Sequence, residues 1–575
     1  MNILGVWDGH DAGAALFVDG MLAAAVNEER FTRRKLEVAC PRHSIRVCCE
    51  IAGIRPDQID IAAACTTDVA KTLARAFPST KEAYYRIRRR KVLPGRWAAA
   101  RKRAKYRITE WPPNAATRAL SAALLRRAFH DAGLTAARVH VYDHHACHAV
   151  AAAVASGFDA CAVLTIDGVG DGLAATVSTF SGNEIVRIAA TPARDSLGIF
   201  FEHVTNLLNM RELEDEGKVM ALADYAAPVP DADNPLLKMV SVEDLRFVTS
   251  APGHALAATL RRLLWHYPNE QFAAMAQRAV EHACLRLAAD VVARTGLSNL
   301  ALAGGVASNV KANRRMRLLP GVSDVFVFPH MGDGGLAVGA ALLASREHAQ
   351  RTSMPVDDLG WGPSFTDADI EKSLARAGAS YRRCADLPRE VAERLHRGEV
   401  VLWFQGRMEY GPRALGHRSV LARPDCPGLR DRLNLVLKRR VWYQPFCPSI
   451  LESDARTVLA DWKGRPNRHM TMAYAVGEQY RSALSGVISV DGTCRPQIVD
   501  DRDDGRFATL LREVRERTGL GALLNTSFNI HGEPLVCAPD DAIRVFRDCG
   551  AEALAIGPFL IERDRASDGR AEPQA

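Results

Sequence analysis

The chain has 575 residues, of which 48% are hydrophobic and 25% are charged, and its formal net charge is +7. This composition is typical of a globular protein and excludes a fibrous or wholly disordered chain. The length exceeds what one hydrophobic core serves, so we expect two or three domains. The thirteen cysteines include no C-x-x-C pair, which favours reduced thiols in a cytoplasmic protein.

No secretion signal or membrane span is predicted from the sequence. The chain enters an apolar strand at residue 3 without a basic leader, and the longest run of small apolar residues, 149–157, is too short to cross a bilayer. We therefore expect a cytoplasmic protein that does not insert into a membrane.

Two strand-turn-strand patterns mark the first half of the chain. Residues 1–27 predict three strands with Asp8-Gly9 in the first turn, and Asp167-Gly168 follows a later apolar strand in the same way. Glycines in such turns let backbone amides approach a phosphate, and the carboxylates can reach a metal or its water shell. A third strand ends at Gly304-Gly305, where close approach to a flat ligand is possible. Together these elements indicate a duplicated, actin-like ATPase fold.

Further elements set the predicted domain boundaries. Helical patterns cover 114–133, 142–155 and 270–295, and the glycine-rich segment 332–335 opens one more helix. The predicted class is α/β, with an N-terminal domain, a linker, a smaller α/β domain and a disordered tail. These four units span residues 1–350, 351–362, 363–564 and 565–575.

A basic run lies between residues 86 and 107, interleaved with Trp97 and Tyr106. Such a run can bind nucleic acid or an acidic partner. A solvated helical insertion is the simpler interpretation, and a basic run alone does not identify RNA. We therefore expect no nucleic-acid partner.

His144 and His148 are four residues apart on a predicted helix, so both imidazoles face one side. A lone pair at this spacing is more often structural, but Asp167 and Asp333 stand at a strand end and a helix start where they can complete a metal site. Two histidines with carboxylates suit iron, manganese or zinc. The spacing does not choose among these metals.

Blocks along nearly the whole chain resemble the O-carbamoyltransferase family, which modifies nodulation factors and antibiotics. In that family the first domain is similar to tRNA threonylcarbamoyl-transfer ATPases and the second to threonylcarbamoyl-AMP synthases. Besides the His144/His148 pair, the matching blocks are Gly9 to Asp11, Glu28 to Arg33, Ser196 to Gly198, Asp215 to Met220, Gly304 to Val306, Asn309, Asn313, Gly332-Asp333, Gly406 to Ser419, Val490 to Arg495 and Asn525 to Asn529.

The resemblance implies an ATP-dependent reaction in two steps. Carbamoyl phosphate and ATP, the latter with Mg²⁺, would give carbamoyl adenylate in the second domain. The carbamoyl group would then pass, in the first domain, to a hydroxyl of a sugar or another natural product, such as an antibiotic precursor. The first domain would hold Fe(II) or another divalent metal. The sequence does not name the acceptor or the oligomeric state.

The resemblance also implies roles for particular residues. In the first domain, His10 is the expected base and Lys35 would stabilise developing negative charge. The residues expected at the nucleotide are Glu216, Gly217, Gly304, Gly305 and Asn309. Those expected at carbamoyl phosphate and ATP in the second domain are Arg413, Arg418, Lys438, Arg440, Arg495, Asn525 and Ser527. Arginine forks bind phosphate oxygens in pairs, and a lysine adds a point charge.

Two positions depart from the family pattern. Gln444 stands before Pro445-Phe446 where an arginine is frequent, and Ser489 precedes Val490 where a histidine is usual. One contact to an anionic substrate is therefore expected to be missing.

Other classes of protein remain as alternatives. A tRNA-modifying enzyme would use the same chemistry and account for the basic run, and it predicts salt-dependent tRNA binding. A non-catalytic nucleotide-binding protein would need only some of the residues above. A sugar kinase would leave the second domain without a role.

Overall fold

The structure is a computed structural model that describes residues 1–90, 98–348 and 352–563, apart from the side chains of residues 98–103. The predicted tail, the first residue of the predicted linker, and Lys91, Arg96 and Trp97 of the basic run lie outside these ranges. Among the described helices, none combines the length and apolar character needed to cross a bilayer.

The first half contains two five-stranded sheets and a small hairpin. Its strands are β1 (Asn2–Trp7), β2 (Gly13–Val18), β3 (Met21–Asn27), β4 (Ile61–Cys65), β5 (Arg138–Tyr142), β6 (Ala160–Gly170), β7 (Leu173–Ser181), β8 (Glu184–Pro192), β9 (Val240–Glu243), β10 (Arg246–Thr249), β11 (Asn299–Ala303) and β12 (Asp324–Val327). Its helices are α1 (Glu29–Thr32), α2 (Arg42–Ala52), α3 (Val69–Ala76), α4 (Pro78–Arg88), α5 (Ala98–Thr109), α6 (Ala115–His130), α7 (His144–Ser156), α8 (Leu197–Leu207), α9 (Glu216–Leu222), α10 (Gly253–Leu264), α11 (Asn269–Thr295), α12 (Val310–Arg317) and α13 (Leu336–His348).

The two large sheets repeat one topology. The first has the order β3-β2-β1-β4-β5 and the second the order β8-β7-β6-β11-β12. In each sheet an antiparallel meander of three strands continues into two parallel strands. The predicted duplication of an actin-like α/β unit is therefore confirmed, as are the predicted helices that became α6, α7 and α11.

Helices α7 and α13 pack against each other between the two sheets. Both are rich in alanine, and most of their residues are buried. A Cβ atom on Gly339 of α13 would lie 2.2 Å from the carbonyl oxygen of Cys147 on α7. This close approach requires glycine and brings the beginning of α7 to the beginning of α13, where the candidate metal ligands are.

The second half is built on one mixed eight-stranded sheet of order β13-β22-β21-β14-β15-β20-β16-β19, with a short β17-β18 hairpin. Its strands are β13 (Arg382–Arg383), β14 (Val401–Phe404), β15 (Arg418–Ala422), β16 (Cys447–Leu451), β17 (Tyr474–Ala475), β18 (Thr493–Cys494), β19 (Gln497–Val499), β20 (Ala522–Ser527), β21 (Ala553–Ile556) and β22 (Phe559–Glu562). Its helices are α14 (Asp367–Arg376), α15 (Leu387–His396), α16 (Pro427–Arg432), α17 (Glu452–Val458), α18 (Arg506–Thr518) and α19 (Pro539–Cys549).

The two halves share an extensive interface. One hydrophobic cluster contains residues from both halves, and a second cluster belongs to the second half alone. The Tyr410 hydroxyl donates to the carbonyl of Gly334 at 2.5 Å, and Arg33 donates to the carbonyls of Pro534 and Leu535. The connecting segment 352–362 lies along β3, where the Leu22 amide donates to the Ser353 carbonyl. The interface therefore reaches the loops that carry candidate site residues.

Candidate functional site

The predicted metal ligands come from three elements that meet between the two sheets. His144 and His148 occupy the first turns of α7. Asp143 caps the start of this helix, because its side chain accepts a hydrogen bond from the Ala146 amide. Asp167 lies near the end of β6, and Asp333 opens the turn before α13. Helix α7 and strand β6 thus supply three potential ligands, and the turn before α13 brings the fourth, Asp333, to the same point.

The four side chains are close enough to share one cation. The Nε2 of His144 lies 3.1 Å from Asp167 Oδ2 and 3.7 Å from Asp333 Oδ1, and the Nε2 of His148 lies 3.6 and 3.7 Å from the same oxygens. All four residues are buried, and one ligand atom from each falls within 4.8 Å of the others. The buried Nε2 of His148 has no hydrogen-bond partner. This donor set fits a divalent transition metal.

The electrostatics of the quartet also fit a cation. Burial lowers the pKa of His144, but its hydrogen bond to Asp167 and the charge of Asp333 outweigh burial and raise the pKa to about 10. Burial likewise raises the pKa of Asp167, yet its hydrogen bond to His144 and the nearby imidazole of His148 hold that pKa well below the usual range. In the absence of a metal, protonated imidazoles supply the positive charge that balances the carboxylates. The Thr66 hydroxyl orients His144 through Nδ1 at 3.0 Å.

The glycine pair after β11 touches the quartet through Asp167. The Gly305 amide donates to Asp167 Oδ1 at 2.8 Å. Gly304 has φ +92°, and a Cβ atom there would lie 2.3 Å from the Ile166 carbonyl oxygen. The close approach predicted for these glycines is therefore an approach to the backbone of strand β6. Their predicted role in binding a nucleotide stays a prediction.

We expect Gly304→Ala to lower the free energy of unfolding by about 2–4 kcal/mol, since the substitution adds both a clash and an unfavourable φ. Gly296→Ala is the matched control, because Gly296 has φ +71° and a Cβ atom there would meet no other atom within 4 Å. Urea unfolding of both variants separates the clash from backbone strain. Equal losses in the two variants would show that the contact with Ile166 has no energetic weight.

His10 lies beside the quartet, close to Asp333. Its Nε2 is 3.4 Å from Asp333 Oδ2, whereas the two histidine ligands approach the other oxygen of that carboxylate. Burial and the charge of Arg88 lower the pKa of His10 to about 4 despite the opposing charge of Asp333. The imidazole is therefore neutral at pH 7 and able to accept a proton, as a base requires.

The sequence pattern placed the Asp8 carboxylate in a turn from which it could reach a metal. In the structure Asp8 is not a metal ligand. Its carboxylate instead forms ion pairs with Lys71 at 2.8 Å, Arg75 at 2.9 Å and Lys81 at 3.3 Å. Burial raises the pKa of Asp8, but these three cations outweigh burial and hold the pKa well below the usual range. One buried carboxylate thus compensates three cations, and the region keeps an excess of positive charge.

We expect Asp8→Asn to lower the free energy of unfolding by about 3–5 kcal/mol at pH 7, because it leaves buried cations without a counter-ion. The folded pKa of Asp8 is depressed, so its contribution is present above the unfolded pKa of about 3.9 and is lost as pH falls through the folded pKa. Urea titrations of wild type and variant at several pH values test this. Asp19→Asn is the control, because the Asp19 side chain is 80% exposed. A gap that widens below pH 4 would contradict the prediction.

Lys35 is held by a buried carboxylate at the edge of the first half. Its Nζ lies 2.9 Å from Glu214 Oε1, and Arg89 pairs with the other oxygen of Glu214. Arg89 also donates to the carbonyl of Gly532 in the second half at 3.1 Å. Lys35 is 29% exposed, so it can reach a ligand between the halves while Glu214 fixes its position.

The other predicted nucleotide residues have different settings. Glu216 accepts from the Leu213 amide at 2.6 Å, and burial raises the pKa of Glu216 to about 8. Gly217 is exposed with open space around it. Asn309 instead caps α12 and exchanges hydrogen bonds with Gln277 at 2.9 and 3.0 Å. These bonds give Asn309 a structural role beneath the glycine pair.

The described part of the basic run differs from a solvated insertion. Arg88 is buried, its Nη2 lacks a hydrogen-bond partner, and Lys105 donates to the Tyr84 hydroxyl at 3.0 Å. Together with Arg89, these side chains face the region of Lys35 and Glu214. Arg86, one turn away from Arg89 on the same helix, is exposed. Helix α4 therefore covers the candidate site with its cationic face.

Three predicted arginines in the second half converge on one thiol. Arg495 donates to the Sγ of Cys447 from Nε at 3.0 Å and from Nη2 at 2.8 Å. Burial and the charge of Arg495 lower the pKa of Arg413 to about 9, and burial lowers the pKa of Arg440 to about 9. No ion pair found in the described ranges includes any of these arginines, which we call the arginine cluster. Such an unbalanced cluster favours an anion.

Lys438 and Ser527 lie together near the arginine cluster. The Lys438 ammonium is buried and donates to the Ser527 carbonyl, to its hydroxyl at 3.4 Å and to Asn529 Oδ1 at 2.8 Å. Burial and the charge of Arg440 hold the pKa of Lys438 well below the usual range. An anion beside Lys438 and Arg440 would offset that repulsion.

Arg418 and Asn525 are buried, and both side chains donate hydrogen bonds to backbone carbonyls. The guanidinium of Arg418 is fully buried over the Phe404 ring and donates to the carbonyl of Gln405 at 2.8 Å. Asn525 is also buried and donates to the Ala414 carbonyl at 3.2 Å. These bonds hold the loop that carries Arg413, and a role of either side chain toward the substrate stays a prediction.

Sequence reasoning missed several groups at the site. The cations around Asp8 come from α3 and α4, which carry no recognisable motif. Asp11 lies 3.5 Å from His330, and burial raises the pKa of Asp11 to about 8. The position of Asp11 beside His10 was a usable signal, whereas nothing in the sequence around His330 pointed to it.

Comparison with known proteins identifies the class to which this fold and site belong. The family profile described as Carbamoyltransferase N-terminus matches residues 2–342, and the one described as Carbamoyltransferase C-terminus matches residues 392–563. The chain belongs to the carbamoyltransferase family and is a carbamoyl-transferring enzyme. The resemblance seen in the sequence is therefore confirmed.

Relatives of known sequence include nodulation proteins. The chain is 32% identical over 571 residues to nodulation protein NolNO of Sinorhizobium fredii, covering 97% of this chain and 80% of the relative. It is 34% identical to nodulation protein NolO of Bradyrhizobium diazoefficiens, covering 74% and 79%. Among solved structures, HypF of T. kodakarensis shares 16% identity over 61% of this chain and 49% of that chain, with a TM-score of 0.34.

Proposed function

We propose that the chain is an ATP-dependent O-carbamoyltransferase with two separate sites. The second half, residues 363–564, would form carbamoyl adenylate from carbamoyl phosphate and ATP. The first half, residues 1–350, would transfer the carbamoyl group to a hydroxyl of a small molecule such as a sugar or another natural product. The observation that carries this proposal is the arginine cluster, which lacks a carboxylate partner among the described residues and belongs to a different sheet from the metal quartet.

The arginine cluster and Lys438 fit a small substrate rich in phosphate oxygens. Arg413, Arg440 and Arg495 come from three segments near the beginning of β16, and the Nε of Arg413 and the Nη2 of Arg440 have no hydrogen-bond partner that would occupy them. Ser527 at the end of β20 places its hydroxyl beside Lys438. Forked donors with a point charge bind and orient a phosphate, and they stabilise charge that passes to a leaving phosphate.

The first half contains groups for activating an alcohol. His10 is neutral and partly exposed, so it can take the proton of an acceptor hydroxyl. Asp333 lies within 3.4 Å of His10 and can stabilise the imidazolium that forms. Lys35, fixed by Glu214, can offset negative charge on the carbamoyl oxygen or the leaving phosphate.

The metal quartet would hold Fe(II) or another divalent cation. His144, His148, Asp167 and Asp333 would be its ligands, and when bound it would supply Lewis-acid polarisation of an oxygen of the adenylate. Gly305 and Thr66 keep Asp167 and His144 in place through hydrogen bonds of 2.8 and 3.0 Å. Their part is to set the orientation of the ligands before substrate arrives.

Pyrophosphate release from ATP tests the adenylate-forming half without knowledge of the acceptor. The purified protein, loaded with iron and Mg²⁺, is given ATP with and without carbamoyl phosphate. We expect pyrophosphate only when carbamoyl phosphate is present. Pyrophosphate release that ignores carbamoyl phosphate, or none at all, would contradict the proposed role of the second half.

A further inference from the structure

Cys447 stands at the centre of the arginine cluster. It is the first residue of β16, it is only 5% exposed, and its Sγ accepts both hydrogen bonds of the Arg495 fork, at 3.0 and 2.8 Å. Arg413 and Arg440 act on the same sulfur electrostatically. The thiol therefore occupies the place toward which the cations of this site converge.

The donors around this thiol are not fully used. The Nε of Arg413 and the Nη2 of Arg440 are buried and have no hydrogen-bond partner. In the described part of the chain, none of the three guanidinium groups has a carboxylate as its ion-pair partner. The sulfur of Cys447 therefore lies among hydrogen-bond donors and positive charges that no carboxylate balances.

Three other buried cysteines, Cys284, Cys161 and Cys384, lack such an environment. Burial raises the pKa of Cys284 to about 12 and that of Cys161 to about 11. Cys384 does accept a bond from Arg382 at 3.3 Å, but burial and the nearby charge of Glu390 raise its pKa to about 11. A thiolate at these positions would be unfavourable, and so would its reaction with an oxidant.

We propose that Cys447 is a nucleophilic thiol in the floor of the anion site, and that small neutral peroxides modify it. The thiolate attacks one oxygen of hydrogen peroxide, so that an S–O bond forms as the O–O bond breaks. The sulfur loses two electrons, and the leaving hydroxide takes up a proton to become water. We specify a small neutral oxidant because the sulfur of Cys447 is only 5% exposed and lies inside a cationic site, where a larger molecule would not reach it.

This modification and anion binding exclude each other. A sulfenate oxygen on Cys447 would occupy the donors of Arg495 and Arg413 that we assign to phosphate oxygens. Conversely, a bound phosphate would cover the sulfur and draw the arginine donors away from it. Oxidation is therefore expected to stop pyrophosphate release, and a bound anion is expected to slow oxidation. The first of these consequences rests on the proposed function, whereas the second depends only on anion binding.

The test treats wild type, Cys447→Ala and Cys426→Ala with hydrogen peroxide, traps sulfenate with dimedone, and maps the adduct by mass spectrometry. Cys426 is exposed and is the matched control. We expect the adduct on Cys447, with inorganic phosphate or carbamoyl phosphate slowing its formation by about 10-fold. Peroxide should abolish pyrophosphate release in wild type and Cys426→Ala, whereas the rate that Cys447→Ala shows before treatment, whatever its level, should not fall further after peroxide.

Absence of an adduct on Cys447, or labelling that phosphate does not slow, would overturn the inference. So would equal inactivation of Cys447→Ala and wild type. If the alanine variant is poorly folded, Cys447→Ser supplies the same comparison with a smaller change in volume. Failure of untreated wild type to release pyrophosphate would count against the proposed function alone, because labelling and its protection by phosphate would still decide the role of the thiol.

Discussion

His148→Ala is expected to slow carbamoyl transfer by at least about 100-fold while leaving carbamoyl-phosphate-dependent pyrophosphate release within about 2-fold of wild type. His148 supplies one of four ligand atoms in the quartet, and its Nε2 has no hydrogen-bond partner. Losing it weakens metal binding in the first half. The arginine cluster belongs to a different sheet, so the adenylate-forming step should not depend on His148.

Metal content and the two half-reactions measure this prediction separately. Iron bound per chain should fall in His148→Ala, and chelation of wild type should reproduce the loss of transfer. His130→Ala is the control, because His130 is exposed in the last turn of α6 and belongs to no group of potential metal ligands among the described residues. Full transfer activity in a metal-depleted His148→Ala protein would contradict the assignment of the quartet.

Arg495→Ala is expected to raise the KM for carbamoyl phosphate by about 10- to 100-fold, since charge-assisted hydrogen bonds contribute about 1.5–3 kcal/mol. Arg495 presents two donors toward Cys447 and has no carboxylate to hold it elsewhere in the described residues. The KM for ATP should change less. Steady-state pyrophosphate release over a range of both substrates measures the two constants.

Arg439→Ala is the matched control for the arginine cluster. Arg439 is exposed and adjacent in sequence to Arg440, so its removal changes net charge equally without touching the site. A comparable rise in KM for Arg439→Ala would indicate a general charge effect. No rise in Arg495→Ala would remove this arginine from the substrate site.

The metal quartet was predictable because local rules determine it. A four-residue spacing puts His144 and His148 on one side of a helix, and Asp167 follows an apolar strand at the sheet edge where such helices begin. Three strand-turn patterns likewise indicated the duplicated sheets. The histidine spacing and the strand-turn patterns are local, so periodicity carries that information, whereas Asp333 lies far along the chain and joins the histidines only in the folded protein.

The roles of buried polar residues were not predictable in the same way. Arg418 and Arg413 lie five positions apart in one glycine-rich segment, yet only tertiary packing shows that Arg418 is covered by Phe404. Asp8 resembled a metal ligand until α3 and α4 brought three cations to it. Cys447 and Arg495 are 48 residues apart, and their contact depends on the order of strands in the sheet of the second half.

The division of labour between the two halves is the central claim, and supplying carbamoyl adenylate directly tests it best. Arg495→Ala protein given this intermediate together with a panel of sugar and natural-product alcohols as acceptors should release AMP at the wild-type rate, because the first half is intact. His148→Ala protein should release AMP no faster than spontaneous hydrolysis. An Arg495→Ala protein that cannot use carbamoyl adenylate, or a His148→Ala protein that uses it normally, would contradict the two-site account.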